Sequence, residues 1–390
     1  MKKIATQRIQ SLDLLKGIVM VIMALDHTRD YFHYDAFFNS PTDPLQTDTF
    51  IYLTRWITHF CAPAFCFLAG ISAYLVGMRK SKKELSIFLL KRGIWLVLVE
   101  VVIVNFGWFF NIHFGAIPLQ VIWSLGISML FLAAMIHLPF KSILWCSLLI
   151  IFGHNLLDNI HFEDNLLWSI LHERGRFTIL DGRKLFTAYP IIPWVGVMTL
   201  GYYFGSFYRK TIEPVKRQKL FTMIGIGAIV LFLVARGINS YGNSNHWQHY
   251  DTILQTLFSF FNPSKYPPSL TFLLMTLGVT FLFLGNSEKL KGSLVNIFRV
   301  YGKVPFFYYI LHIYLIHLSA MLLAQLTGFG WRVMVLKRFV FSVPELDGYG
   351  LHLSWVYVVW IGIVISLYPL CKRFGQYKLD HKEKWWLGYL

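Results

Sequence analysis

Cysteine and charge are both scarce in this sequence. Only four cysteines occur among 390 residues, and charged residues make up 14% of the chain. All four cysteines lie in or beside apolar segments, so their spacing supports neither a disulfide framework nor a zinc site. The low charge, together with 56% hydrophobic residues, excludes an ordinary soluble domain.

Short catalytic and metal-binding motifs are missing as well. The sequence has no glycine-rich phosphate loop, no nucleophile elbow and no kinase signature. Although it contains 14 histidines, none stand at H-x-x-x-H or H-E-x-x-H spacing, so no metal is expected. No internal repeat or low-complexity segment occurs.

The net charge of +16 does not point to nucleic acid. The basic residues do not follow one face or one arm of the chain. They stand at the ends of apolar runs, as the residues that orient membrane helices do. We therefore expect the lipid bilayer as a partner and no nucleic acid.

The apolar runs predict an all-α integral membrane protein, with a bundle of about ten transmembrane helices in a single domain over residues 1–390. The first run is long and is not followed by a small-residue cleavage site, so it is interpreted as a retained helix rather than a signal peptide. The predicted helices cover approximately residues 12–34, 51–78, 86–110, 119–136, 141–156, 189–208, 220–238, 269–284, 304–326 and 354–371.

Charge asymmetry predicts the orientation of these helices. If the N-terminus is cytoplasmic and the helices alternate in direction, 25 of the 36 Lys and Arg residues fall on the cytoplasmic side. Both termini are then cytoplasmic, and the long polar loops 155–187 and 239–268 are extracytoplasmic.

Polar residues follow the apolar part of the first predicted helix, and we name five of them the polar cluster: Asp26, His27, Arg29, Asp30 and His33. With a rise of ~1.5 Å per residue, Asp26 lies roughly 21 Å from Leu12. That is past the midplane of a ~30 Å hydrocarbon core. Charges at that depth usually face a cavity or a partner, which makes the cluster a candidate site. The alternative is that the helix ends near residue 25 and the cluster is a solvated cap.

The polar cluster contains the groups that a general base needs. His27 has Asp30 one helical turn away, and either Asp30 or Asp26 is expected to orient its ring. His312, near the midplane of the 304–326 helix, is expected to share a cavity with the cluster. The alternative for His312 is a purely structural hydrogen bond to a neighbouring helix.

Basic and aromatic residues of the two long loops are the remaining candidates for ligand binding. They include Arg174, Arg176, Lys265 and Tyr266. Such cations can hold an anionic ligand, for example a cofactor phosphate, or they are solvated charges.

Two sequence motifs resemble a known family. One is R-x-x-S-x-D-x-x-[RK]-G, present as Arg8, Ser11, Asp13, Lys16 and Gly17. The other is P-x-F-x-F-x-x-G-x-S, present as Pro63, Phe65, Phe67, Gly70 and Ser72. Together with YPIIPWVGVMTLGYYFG, NPSKYPPSLTFLLMTLG and GKVPFFYYILHIYLIH, they resemble the heparan-alpha-glucosaminide N-acetyltransferase catalytic domain and its bacterial relatives, within the transmembrane acyltransferase superfamily.

The resemblance implies transfer of an acetyl group from acetyl-CoA to an amine or hydroxyl of an extracytoplasmic sugar or glycan. It also implies the inner (cytoplasmic) membrane of a bacterium. In the superfamily a histidine stands fourteen residues after the motif aspartate, and here His27 follows Asp13 at that spacing. The heparan enzyme instead has an asparagine there and a later histidine, for which this chain offers His33. Arg29, His33, His312 and the loop residues are the expected substrate-binding or donor-binding groups.

A different class of function stays open. A proton-coupled transporter or flippase could use the same Asp/His cluster as a proton relay. The sequence has no pair of broken helices in two matching halves, as transporters often do, and this favours the enzyme. The sequence is also compatible with a homo-oligomer.

Overall fold

Fifteen α-helices form most of the chain in the computed structural model, which describes residues 9–37 and 39–389. Arg8 of the first motif and the basic residues Lys2 and Lys3 lie outside the described residues. The helices are α1 Gln10–Phe32, α2 Thr49–Ile57, α3 Cys61–Gly77, α4 Lys82–Val99, α5 Asn105–Phe109, α6 Val121–Met135, α7 Phe140–Gly153, α8 Leu166–Leu171, α9 Ile191–Gly205, α10 Pro214–Ile238, α11 Ile253–Phe260, α12 Leu270–Asn286, α13 Ser293–Lys303, α14 Pro305–Leu326 and α15 Leu353–Asp380.

Six helical segments of the described chain are long and apolar enough to cross a membrane. They are Thr49–Gly77, Phe140–Leu157, Pro214–Ile238, Leu270–Lys289, Pro305–Leu326 and Leu353–Asp380. The prediction of a mostly helical membrane protein is therefore confirmed. Helices also lie in the other four predicted ranges, but they do not meet the same length and apolarity, so the number of ten spans stays a prediction.

A small sheet departs from the predicted all-α class. Its strands are β1 Ala116–Leu119, β2 Gly175–Thr178 and β3 Lys184–Thr187. The central strand β3 pairs with β1 in parallel and with β2 antiparallel. Four residues are too few to show the two-residue alternation by which a strand is recognised in a sequence.

Two further helices lie where polar connections were predicted. Helix α13 occupies most of the basic stretch 289–303, and α11 lies within the loop 239–268. The spacing of Leu294, Ile297, Phe298 and Tyr301 is that of one apolar helix face, which the many basic residues around it obscured.

Helix α1 is packed among α3, α13, α14 and α15. Its closest crossing is with α13, at Gly17 and Gly302. A Cβ atom at Gly302 would lie 1.8 Å from the carbonyl oxygen of Asp13, and one at Gly17 would lie 1.8 Å from that of Phe298. Only glycine fits at this crossing, which fixes α1 against the helix that leads directly into α14.

A hydrogen bond joins the two family-like motifs. The Nζ of Lys16 donates to the Oγ of Ser72 at 3.0 Å, connecting α1 to α3. On α3, Gly70 allows a close approach to α9, since a Cβ there would lie 2.0 Å from the carbonyl oxygen of Met198. Both motifs therefore contribute to helix packing, the first between α1 and α3 and the second also between α3 and α9.

Candidate functional site

Helix α1 continues through the polar cluster without a break. It ends at Phe32, with His33 as its C-cap residue. The alternative that the helix stops near residue 25 is therefore wrong. Asp26, His27 and Asp30 are half-buried, and Arg29 is 4% exposed.

The acidic residues of the polar cluster are paired with arginines. Asp26 accepts a hydrogen bond from Arg55 of α2 at 2.5 Å and forms an ion pair with Arg29 at 3.1 Å. The Nη2 of Arg29 also donates to Asp30 at 2.6 Å. None of these four side chains is more than 18% exposed. Pairing of this kind is what allows charges to be buried, and it holds the last turns of α1 against α2.

His27 forms a pair with His312 of α14. The Nδ1 of His27 lies 2.8 Å from the Nε2 of His312. The two rings are stacked, with centroids 5.0 Å apart and planes inclined by 17°. Trp108 of α5 packs edge-on against His27 at 4.8 Å. The expected proximity of His312 to the polar cluster is thus found.

The partners of the two rings assign their protons. The Nδ1 of His312 lies 3.1 Å from the carbonyl oxygen of Tyr308, which can only accept, so this nitrogen carries a proton. In a neutral ring the Nε2 of His312 then accepts, and the proton of the shared bond belongs to the Nδ1 of His27. A neutral His27 therefore has its lone pair on Nε2. No described residue hydrogen-bonds to that atom.

This geometry corrects the expected orienting group. Asp30 and Asp26 were predicted to orient His27, but their oxygens are held by Arg29 and Arg55. The hydrogen bond to the Nδ1 of His27 comes from His312, which lies on a helix remote in sequence.

His33 has a different environment from His27. Its backbone N–H donates to the carbonyl oxygen of Arg29, and the residue forms a parallel bridge with Leu351. Its ring contacts that of Tyr34, and the residue is 2% exposed. These contacts tie the end of α1 to the segment before α15.

The predicted loop residues come together around aromatic rings, and we name Arg174, Arg176, Lys265 and Tyr266 the loop cluster. The guanidinium of Arg174 lies over the rings of Phe186 and Tyr266, at 5.0 and 5.2 Å. Arg176 lies 5.6 Å from the ring of Phe186, and Lys265 lies 5.1 Å from that of Tyr266. Contacts between cations and aromatic faces hold these side chains at the ends of β2 and α12.

The loop cluster extends to the polar cluster. Lys265 interacts electrostatically with Asp26 and His27, and Arg55 does so with Tyr266. Three cations, Arg29, Arg55 and Lys265, thus surround the two carboxylates of Asp26 and Asp30. The excess of positive charge makes this end of the site electropositive.

The phenol of Tyr266 responds to that excess of positive charge. Burial alone would raise its pKa, but Lys265 and Arg55 nearby, with a hydrogen bond from Tyr189, lower the pKa to about 8. The hydroxyl groups of Tyr266 and Tyr189 are 3.3 Å apart. The loop cluster thus favours a negative charge close to His27.

A cavity of about 480 Å³ lies next to the histidine pair. Side chains of α1, α3, α4, α6 and α14 form its mainly apolar wall, among them Met20, Met23, Phe65, Ala69, Leu96, Val121, Ile122, Phe306 and Tyr309. Four basic residues also line it, Lys16, Arg92, Lys303 and Lys378. Tyr309 connects the cavity to the pair, since its ring centroid lies 5.4 Å from that of His312.

Four residues of this region were missed by sequence reasoning: Arg55, Glu100, Trp108 and Tyr309. Glu100 lies in a π-helical turn, is 0% exposed, and accepts hydrogen bonds at Oε2 from the N–H groups of Ile122 and Trp123. A lone acid in an apolar run was the available signal. Trp108 and Tyr309 offered none, because the sequence is rich in aromatic residues.

His317 is structural. Its Nδ1 and Nε2 lie 2.9 and 2.8 Å from the carbonyl oxygens of Gly107 and Met334. These two contacts, of which a neutral ring can make one as a hydrogen bond, join α14 to α5 and to the turn after α14. In the described part of the chain no three His, Cys, Asp or Glu side chains come together in a way that could hold a metal ion.

Comparison with known families agrees with the motifs. A family model described as the catalytic region of heparan-alpha-glucosaminide N-acetyltransferase matches residues 8–240. The match includes the polar cluster and ends before α14, so His312 and Tyr309 lie beyond it. A comparison with curated proteins finds no match. Because the family model covers more than half of the chain, the protein belongs to the heparan-alpha-glucosaminide N-acetyltransferase catalytic family, a family of membrane acetyltransferases.

Proposed function

We propose that this protein transfers an acetyl group from acetyl-CoA to an amine or hydroxyl of an extracytoplasmic sugar or glycan, with His27 as the general base. The observation that carries this proposal is the position of the His27–His312 pair. His312 contacts Tyr309, which lines an apolar cavity with basic residues, and His27 interacts electrostatically with Lys265 of the loop cluster. Two substrates bound in these two places could thus meet at one histidine.

The Nε2 of His27 takes the proton from the acceptor and later returns it to the departing sulfur. His312 keeps the proton on the Nδ1 of His27 and so leaves Nε2 basic. The bound donor supplies a thioester, whose carbonyl carbon receives the acceptor's electron pair while the C–S electron pair leaves with sulfur. The ion pairs of Asp26 with Arg29 and Arg55 hold His27 in place and supply no proton.

As a binding site for the donor acetyl-CoA, the cavity is more suitable than the loop cluster. Its volume of about 480 Å³ lies in the range of small-molecule sites, and its apolar wall suits the acyl and pantetheine part. Lys16, Arg92, Lys303 and Lys378 provide positive charge for the phosphates of the nucleotide part. The sequence had suggested Arg174, Arg176 and Lys265 for the donor. We assign the loop cluster to the acceptor instead.

Charge asymmetry supports a direction of transfer. The basic residues of the cavity belong to the segments predicted to be cytoplasmic, and the loop cluster belongs to the loops predicted to be extracytoplasmic. Acetyl-CoA would enter from the cytoplasm, and the acetyl group would leave on a glycan at the opposite face.

The test is acetyl transfer in proteoliposomes. Glucosamine, which offers both an amine and hydroxyls, is enclosed in the vesicles, and acetyl-CoA is added outside. The purified protein is expected to release CoA thiol outside and to form acetylated glucosamine inside. His27→Ala should abolish both products, while its thermal stabilisation by CoA should persist.

Two results would contradict this function. One is the absence of acetylated product when CoA nevertheless stabilises the wild-type protein. The other is movement of protons across the vesicle membrane without any acetyl transfer, which would favour the transporter.

A further inference from the structure

Tyr309 lies at the junction between the cavity and the histidine pair. It lines the cavity, and the residue is 2% exposed. Its ring contacts that of His312, which in turn is bonded to His27. Among the described residues none accepts a hydrogen bond from its hydroxyl. The carboxylate of Glu100 interacts electrostatically with the hydroxyl of Tyr309 but does not accept a hydrogen bond from it. The Oε2 atom of Glu100 accepts from backbone N–H groups, and its Oε1 atom has no hydrogen-bond partner among the described residues.

Trp108 places a second donor in the same region. Its indole Nε1 is buried with no hydrogen-bond acceptor among the described residues, and Trp108 is 5% exposed. The indole N–H is close enough to the hydroxyl of Tyr309 to interact with it, but the distance and angle do not meet the criteria for a hydrogen bond. The ring also packs on His27 at 4.8 Å. An unsatisfied buried N–H beside the base is costly unless a ligand completes its bonding.

We propose that Tyr309, supported by Trp108, is a catalytic residue that donates a hydrogen bond to the carbonyl oxygen of the bound thioester. This inference rests on the proposed function. The negative charge that develops on that oxygen during transfer is stabilised by the hydroxyl of Tyr309, which keeps its own proton. The proton of the acceptor goes to the Nε2 of His27 and then to the departing sulfur. Donors fixed in a water-poor site stabilise such a charge strongly.

Tyr308 provides a matched control on the same helix. Its ring stacks on His312 at 5.3 Å, and the residue is 0% exposed. Its hydroxyl has no hydrogen-bond partner among the described residues, and Tyr308 does not line the cavity. Tyr308→Phe and Tyr309→Phe therefore remove the same atom from two buried rings that contact the same histidine.

The experiment measures the infrared carbonyl band of acetyl-CoA labelled with ¹³C at the carbonyl carbon, bound to each protein without an acceptor. A hydrogen bond to the oxygen lowers the band frequency. Tyr309→Phe is expected to shift the band to higher frequency, and Tyr308→Phe is expected to leave it as in the wild type. With glucosamine as acceptor, kcat of Tyr309→Phe should fall by about 10²-fold, while the Kd of CoA, which has no carbonyl at sulfur, should not change.

An unshifted band in Tyr309→Phe with acetyl-CoA bound would overturn the inference. An equal shift in Tyr308→Phe would also overturn it, since the effect would then come from packing. If Tyr309→Phe does not fold, the wild type is compared with acetyl-CoA in an apolar solvent, and an equal band frequency in the two would mean that no donor reaches the oxygen, which would overturn the inference as well. Failure of the wild type to bind acetyl-CoA would refute the donor assignment in the proposed function instead.

Discussion

The Nδ1 of His27 and the Nε2 of His312 lie 2.8 Å apart, although 285 positions separate the two residues in sequence. His27 belongs to the part of the chain that matches the family model, and His312 does not. The group that orients the proposed base is thus a histidine. A histidine partner carries no negative charge, so it fixes the position of the proton without strongly stabilising a cationic His27.

Substitutions of the two histidines should distinguish the proposed base, His27, from the residue that orients it, His312. His27→Ala removes the base and should lower kcat by about 10²–10⁴-fold. His312→Gln keeps a buried polar group beside Nδ1 but loses the fixed ring, so a smaller fall in kcat is expected. Initial rates with acetyl-CoA and glucosamine give both values.

His33→Ala is the comparison for that experiment. The ring of His33 is buried and packs on that of Tyr34, so His33→Ala should lower the melting temperature in detergent, while kcat should stay close to that of the wild type. Should His33→Ala abolish turnover while His27→Ala leaves it intact, the later histidine is the base.

Tyr266 should ionise near pH 8, about two pH units below an ordinary tyrosine. The folded protein then binds fewer protons than the unfolded chain between about pH 8 and 10, so this residue makes the free energy of unfolding rise across that window. Absorbance at the tyrosinate band should show one early phase. Lys265→Met should move that phase to higher pH, and Tyr266→Phe should remove it. An early phase that survives in Tyr266→Phe belongs to another residue.

Gly302→Ala should destabilise the fold. Its Cβ would lie 1.8 Å from the carbonyl oxygen of Asp13, so α1 and α13 must separate, at a cost of about 1–3 kcal/mol or more. Gly227→Ala is the control, because a Cβ there meets nothing within 4 Å on the same kind of helix. Thermal unfolding in detergent should show a lower midpoint for Gly302→Ala only. Equal midpoints would mean that the crossing tolerates a side chain.

The predicted orientation can be tested by cysteine labelling at exposed loop positions, and Gly242 in the loop 239–268 is not one of them. That residue is buried and has a φ of 83°, and its carbonyl oxygen accepts a bond from the N–H of Thr271. Ser244 is exposed in the same loop, and Lys210 is exposed between α9 and α10. In intact cells a membrane-impermeant reagent should label Ser244→Cys and should reach Lys210→Cys only after permeabilisation. The reverse pattern would invert the topology.

The sequence was most informative where the membrane constrains it. Charges inside an apolar run must be paired or face a cavity, and this requirement predicts from the sequence alone that the polar cluster and His312 lie together. Family-like motifs around Lys16 and Ser72 also pointed to the same helices, and the structure joins those two residues directly.

What could not be predicted depends on distances between helices. Whether Asp26 bonds to His27 or to Arg55 is decided by how α1 and α2 cross, and local spacing does not determine that angle. The same holds for Trp108 and Tyr309, which are two aromatic residues among many until the fold brings them to the histidines. The four-residue strands of the sheet carry too little periodicity to be recognised.

The crossing of α1 with α13, and the histidine pair beyond it, has a consequence for biosynthesis. Helix α1 leaves the ribosome before α2 to α13, and α14 follows only after all of these helices. During that interval His27 lacks the ring of His312, and the cavity lacks the wall that α14 provides. On the proposed function, a chain without α14 has neither a complete donor cavity nor the group that orients the base, so acetyl transfer is expected to begin only once α14 has been inserted.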